Sequence, residues 1–263
     1  MIRVAGHFGE WLQGRLGPDG PVVLVTLPCT GVGVTARLMP GPAGLTDDAA
    51  ALIATDRATA FLHGLGTRLA SRIDLAPDCT PGMGTGMSTG ALVALARIAG
   101  AQTDALPAAC IAAEGASDPL MLSAPDRVLW ASREGRVIAP APAVPVAKIV
   151  GGFYGPAQPT DPTDNGFPDI SDLWDRWQNA KTLPDIAAIA ALSAQRTTAL
   201  RGPADDPMSA LADATGALGH IRAHTGAARG LVFEPGTVPA GIDESLTRAG
   251  LRDIRHFTTG GPT

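Results

Sequence analysis

Between Thr80 and Ala101 the chain reads TPGMGTGMSTGALVALARIAGA, four glycines among small polar residues followed at once by a strongly helical apolar run. A glycine-rich segment that feeds a helix exposes unpaired backbone N–H groups beside the positive end of the helix dipole, and together these bind anions such as phosphate. Glycine matters because a Cβ would hold the phosphate away from the backbone. The pattern predicts a helix from near Ser88 to Gly100, with Ser88 and Thr89 placed to cap it or to ligate Mg²⁺. Two common phosphate loops are excluded. A Walker A loop needs a Lys that this segment lacks. The spacing Gly84-Thr85-Gly86-Met87-Ser88-Thr89-Gly90 is one residue too long for a dinucleotide fingerprint, and Asp104 follows a helix with no strand between. Taken alone, the segment is equally a glycine turn capping a core helix.

Before this loop, MIRVAG, PVVLVTLPC and GVGVTARLM read as separate short strands. A single helix is expected over DDAAALIATDRATAFLHGLGTRLASR, and a strand over SRIDLAP. After it come a helix near Leu106 to Gly115 and a hairpin turning at Arg133-Glu134-Gly135. Pro140, Pro142 and Pro145 then break the pattern, which places a domain boundary between 1–144 and 145–263. The second half opens with a strand, VAKIVGGFYG, and a Pro/Asp-rich loop. Three helical stretches follow, ISDLWDRWQNA, LPDIAAIAALSAQRTTAL and PMSALADATGALGHIRAH, then a strand, a short helix and a last strand. The whole is an α+β arrangement. Trp174 and Trp177, three apart on one of those helices, read as core or interface residues.

Twenty basic against 25 acidic residues leave a net charge of −5, which argues against a general grip on nucleic acid or an anionic membrane and favours a small-molecule partner. Cys29, Cys79 and Cys110 are odd in number and widely spaced, so they fit neither a disulfide framework nor a zinc cluster. A reducing, cytoplasmic setting is expected. The N-terminus reaches His7 and Glu10 before any apolar core of signal-peptide length has formed, and no stretch approaches the length of a membrane span.

Four segments resemble one family in family order. PGMGTGMSTGA resembles the second motif of the GHMP kinases, Pro-x-Gly-x-Gly-Leu-Gly-Ser-Ser-Ala. GHFGEWLQG followed by PVVLVTLPC resembles the Gly-x-x-Gly-Glu-x-x-Gln-Gly opening of one branch, the L-threonine kinases of cobalamin biosynthesis and related propanediol-utilisation proteins. AAEGASDPLML and AHTGAARGLVF resemble that branch's middle and C-terminal segments. The resemblance implies a two-domain GHMP kinase fold, with a ribosomal protein S5 domain 2-like N-terminal domain and a ferredoxin-like C-terminal domain. It also implies ATP and Mg²⁺, and transfer of a phosphoryl group to the hydroxyl of L-threonine or of another small alcohol.

Residue by residue, the resemblance assigns the ATP phosphates to Gly84, Thr85, Gly86, Met87, Ser88, Thr89 and Gly90. It gives Mg²⁺ to Glu114 and Thr89, and the acceptor hydroxyl to Asp118. Glu114 and Asp118 are four apart and would share a face if their helix continued. Glu10, Gln13 and Gly14 are expected on a substrate-side loop, where Glu10 either meets a substrate amino group or satisfies turn amides. Thr225 and Gly226 are expected at the end of a long helix, as secondary substrate contacts. His7 lies outside the family pattern, and a lone His is more often structural. Gly90 stands where the motif has its second Ser, and His7 and Phe8 stand where the opening motif has small hydroxyl and Cys types. These departures motivate a rival reading: a ligand-binding or regulatory protein that keeps the fold without turnover.

Overall fold

A computed structural model describes residues 1–261, and its framework is a long antiparallel hairpin of β1 (Ile2–Arg15) and β2 (Val22–Met39). The short strands expected here are thus two continuous ones. Gly33 lets them approach, since a Cβ there would lie 2.3 Å from the Val4 carbonyl oxygen. Irregular register at Ala5/Gly6, His7/Glu10 and Glu10/Leu12 marks bulges in β1, so GHFGEWLQG is bulged strand and not loop.

After β3 (Gly44–Leu45), the single helix expected over 47–72 is two, α1 (Asp47–Leu52) and α2 (Thr55–Gly64). The chain breaks at Ile53, which is extended and only 1 % exposed. Next come β4 (Arg72–Pro77), α3 (Met87–Ile98), α4 (Leu106–Glu114), and the hairpin β5 (Val128–Ala131) with β6 (Arg136–Pro140).

The second half contributes β7 (Ala147–Phe153), α5 (Ser171–Asn179), α6 (Leu183–Arg201), α7 (Met208–Thr215), β8 (Gly219–Arg222), β9 (Ala228–Phe233), α8 (Ile242–Arg248) and β10 (Arg252–Thr259). Here the third expected helix stops early. Gly216 at φ 67° caps α7, and the chain turns into β8. A Cβ on Gly219 would lie 2.3 Å from the Ala187 carbonyl oxygen, so glycine lets β8 press onto α6. His224, Thr225 and Gly226 therefore lie in the β8–β9 connection, not at a helix end.

Among the described residues ten strands form one sheet, ordered β10-β7-β9-β8-β1-β2-β4-β3, with β5 and β6 branching from β2. Among the described residues Glu10 pairs with Arg222 to join β1 to β8, and Arg15 of β1 bridges Asp169 of the second half. Packing reinforces that seam. Phe8 of β1 lies 5.3 Å from Phe153 and 5.6 Å from Phe257, and Trp11 lies 6.4 Å from Trp177, ring centre to ring centre. Phe8 and Trp11 are fully buried, and each such side chain contributes about 1.5–3 kcal/mol. Trp174 is buried beside them, and all three cysteines are free and buried. No helix among the described residues is long and apolar enough to cross a membrane.

Candidate active site

Gly82, Gly84 and Gly86 take φ of +85°, +81° and +73°, values that side chains rarely adopt. The loop they form is pinned on two sides. His7 and Gly9 of β1 donate their N–H groups to the carbonyls of Thr85 and Gly84, both at 3.2 Å, while Ala227 and Ala228 donate to the carbonyl of Met83. Gly226 fits against this loop because a Cβ on it would lie 2.5 Å from the Gly82 carbonyl oxygen. The first helical bond of α3 runs from the Gly90 N–H to the Gly86 carbonyl. The amides of Met87, Ser88 and Thr89 precede it and have no backbone partner among the described residues, and all three residues line a cavity of about 430 Å³.

Gly82, Gly84, Gly86, Met87, Ser88 and Thr89 line that cavity. Two residues expected in the phosphate cradle do not. Thr85 is 1 % exposed and turned inward, holding β1 through its carbonyl. Gly90 has its amide committed to the helix, and a Cβ on it would meet Val34 Cγ2 at 3.2 Å. A hydroxyl at 90 would point into the hydrophobic core.

Glu114 and Asp118 both reach the cavity, but not along one helix face. Gly115, left-handed at φ 69°, ends α4, and the following loop brings Asp118 in. Ser88, not Thr89, meets Glu114: its hydroxyl donates to the Glu114 carboxylate, and Arg57 lies 3.8 Å away. Thr89 instead accepts a hydrogen bond from the Asp118 amide at 3.2 Å. Burial pushes the Glu114 carboxyl up, which the Ser88 bond and Arg57 partly offset. A buried carboxylate beside a hydroxyl at the mouth of a phosphate cradle is a hard oxygen donor set, so Ser88 and Glu114 fit Mg²⁺.

Gly9, at φ +77°, sits in the β1 bulge, where a Cβ would lie 2.8 Å from the Arg222 carbonyl carbon. Residues 7 and 10 would face opposite ways in a regular strand; the bulge turns both into the cavity. His7 Nδ1 lies 3.3 Å from Glu10 Oε1 and 3.2 Å from the Gly9 carbonyl, and Nε2 lies 3.3 Å from Asp118 Oδ2. Burial alone would lower the His7 pKa, but the flanking carboxylates of Glu10 and Asp118 overcome it and raise it to about 9. Burial raises Glu10 to about 8 against the opposing pull of His7. Burial would also raise Asp118, yet His7 holds it below the usual carboxylate range. One ligand atom from each of the three lies within 4.8 Å of the others. The trio is a charge-compensated cluster in which imidazolium supports the Asp118 carboxylate.

Gln13 and Gly14 lie beyond the cavity. Gln13 Nε2 donates to the Arg222 carbonyl at 2.9 Å, and its backbone exchanges bonds with Ser193 Oγ, tying β1 to β8 and α6. A Cβ on Gly14 would meet the Pro168 carbonyl oxygen at 2.5 Å. Both are framework residues. Glu10 and Thr225 do line the cavity, joined by Arg133 and His224, for which the family motifs carried no assigned role.

No protein-family model matches the sequence, and no curated protein matches it. Solved structures do match. The mevalonate kinase of Methanococcus jannaschii superposes with a TM-score of 0.60 at 10% identity, covering 100% of this chain and 98% of its own. A homoserine kinase from Cytophaga hutchinsonii gives 0.57 at 17%, covering 98% and 94%. The mevalonate pyrophosphate decarboxylase of Streptococcus pyogenes gives 0.56 at 9%, covering 99% and 96%. The chain shares the mixed α/β fold of these solved structures. That fold serves kinases and a decarboxylase among these neighbours, so the fold alone does not set the reaction.

Proposed function

We propose that the protein is an ATP- and Mg²⁺-dependent kinase acting on the hydroxyl of a small molecule. The sequence motifs favour L-threonine as acceptor, with O-phospho-L-threonine as product and cobalamin biosynthesis as its use. The observation that carries this reading is convergence: the glycine cradle, the Ser88–Glu114 pair and the Asp118–His7 pair all line one cavity.

Phosphoryl transfer asks the protein for positioning and charge stabilisation more than for covalent chemistry. The free amides at the start of α3 receive the phosphates of ATP, and Ser88 with Glu114 would hold Mg²⁺, which neutralises charge building on the transferring group. Asp118 orients the acceptor hydroxyl and takes its proton as the oxygen forms a bond to the γ-phosphorus. The bond from that phosphorus to the β,γ-bridging oxygen breaks, and ADP leaves. His7, protonated beside Asp118, keeps the carboxylate ionised until that moment. Thr225 faces the acceptor side, and Glu10 backs His7.

The rival reading rested on Gly90 and the altered opening motif. A Ser at 90 could not reach the cradle, and the altered His7 is bound into the site, so neither departure argues for lost turnover. Calorimetric titration with ATP, with and without Mg²⁺, tests the assignment. Mg²⁺-dependent binding that weakens in Glu114→Gln is expected; failure of the wild-type protein to bind ATP would overturn it.

A further inference from the structure

Beyond His224 lies a second cavity of about 890 Å³, and Gln158, His224 and Thr225 line both. Three arginines wall it: Arg201, Arg222 and Arg229. Two are neutralised, Arg201 by Asp164 at 2.6 Å and Arg229 by Asp206 at 2.7 Å. Arg222 differs. Its Nη1 donates to Thr198 Oγ1 at 2.7 Å and to the Gly202 carbonyl at 3.0 Å, and its Nε to the Ala223 carbonyl at 3.4 Å, all neutral acceptors. Among the described residues Nη2 has no partner, although the residue is only 5 % exposed.

His224 faces the same space with a second unmet demand. It is 8 % exposed, and neither ring nitrogen has a hydrogen-bond partner among the described residues. Its ring is fixed by stacking on Phe167, 4.1 Å between centres and 10° between planes, with the Arg201 guanidinium 4.2 Å from the Phe167 ring centre. Asp205 also borders the cavity but is exposed, so water screens its charge. A guanidinium with no carboxylate partner among the described residues and a buried imidazole with no hydrogen-bond partner lie on one cavity wall, a pairing that an anionic acceptor group would complete.

We propose that this cavity receives the carboxylate of the acceptor, bound by Arg222 Nη2 and a ring N–H of His224, while the acceptor hydroxyl lies on the other side of His224 at Asp118. One uncompensated positive charge matches a carboxylate better than a phosphate dianion, and a single free Nη2 gives an end-on rather than a forked contact. The acceptor class is therefore a small hydroxy acid. The position of the hydroxyl rests on the kinase reading; carboxylate binding does not.

The test is nitrogen NMR of the arginine side chains in the full chain, without ATP, with the Arg222 signal assigned through Arg222→Lys. The probes are L-threonine, 3-hydroxybutyrate, the neutral L-threoninamide and inorganic phosphate. Both carboxylates should move the Arg222 signal and the amide should not, and Arg222→Gln should weaken L-threonine binding roughly tenfold or more. Should Arg222→Gln fail to fold, His224→Phe replaces it with the same expectation. An Arg222 signal that ignores both carboxylates, answers the amide equally, or responds to phosphate alone overturns the proposal. Carboxylate binding in a protein that binds no ATP would leave this site standing and remove the kinase reading, so the two can fail separately.

Discussion

His7 Nε2 lies 3.3 Å from Oδ2 of Asp118, linking the bulge of the first strand to the loop after α4. The contact makes Asp118 the charged, oriented carboxylate of the cavity. Asp118→Asn should fold as the wild type does, because its amide still bonds Thr89. Phosphoryl transfer should fall by on the order of 10²–10⁴. Turnover by the variant, measured beside its thermal midpoint, checks this; an unchanged rate removes Asp118 from the chemistry.

The cluster also shapes stability against pH. His7 is raised to about 9 and Glu10 to about 8, so between their ordinary values and these the folded state holds more protons than the unfolded one. Their contribution is therefore present at lower pH and lost as pH rises through the folded values. His220 and His224 work oppositely: burial lowers them to about 4 and about 3, so stability grows as pH climbs toward 6.5. The thermal midpoint should peak slightly below neutrality and decline from about pH 7 to about pH 9. His7→Gln should remove the His7 share of that decline and leave the Glu10 share, because Glu10 loses the opposing pull of His7 and stays raised. A wild-type midpoint that rises over that interval contradicts the cluster.

Ser88→Ala removes the hydroxyl that meets Glu114. Loss of a hydrogen bond to a charged group costs about 1.5–3 kcal/mol, so the Mg²⁺ concentration for half-maximal rate should rise roughly ten- to a hundredfold. Thr89→Val, which loses only the Asp118 backbone contact, should leave that requirement near wild type. A metal titration of both variants separates the two roles, and the reverse ranking would restore Thr89 as ligand.

Gly90→Ser is expected to gain nothing. The added atoms meet Val34 in the core, so stability should drop by about 1–3 kcal/mol while nucleotide affinity holds. Gly84→Ala acts at the cradle itself: its φ is +81°, and the new Cβ would lie 2.3 Å from Ala223 Cβ. Nucleotide binding should be lost there. Denaturant unfolding and ATP titration of both proteins decide the point.

Much of this was legible in the sequence, and the rest has physical reasons for being hidden. The glycines at 82, 84 and 86 and the apolar run behind them announced α3, because both signals are local. Asp118, Glu114 and Glu10 were found through their motifs, and all three reach the cavity. The bulge at Gly9 was not legible: glycine there reads equally as a loop, and only its approach to Arg222 shows that it bends a strand and turns His7 inward. The end of α7 at Gly216 was signalled by that glycine, but the apolar pattern on both sides masked it. The roles of Ser88 and Thr89 depend on which way adjacent side chains leave a helix start, and Arg222 and His224 on charges that fail to meet. Those are relations in space with no sequence spacing to mark them.

The most direct measurement is ADP formation from Mg-ATP by the purified protein, with L-threonine, L-serine, L-homoserine and aminopropanol compared in parallel and each product identified by mass. Acceptor-dependent turnover with L-threonine, yielding O-phospho-L-threonine, is expected, and little with aminopropanol, which has no carboxylate for Arg222. ADP formation that no hydroxyl acceptor stimulates, or equal phosphorylation of aminopropanol and L-threonine, would contradict it.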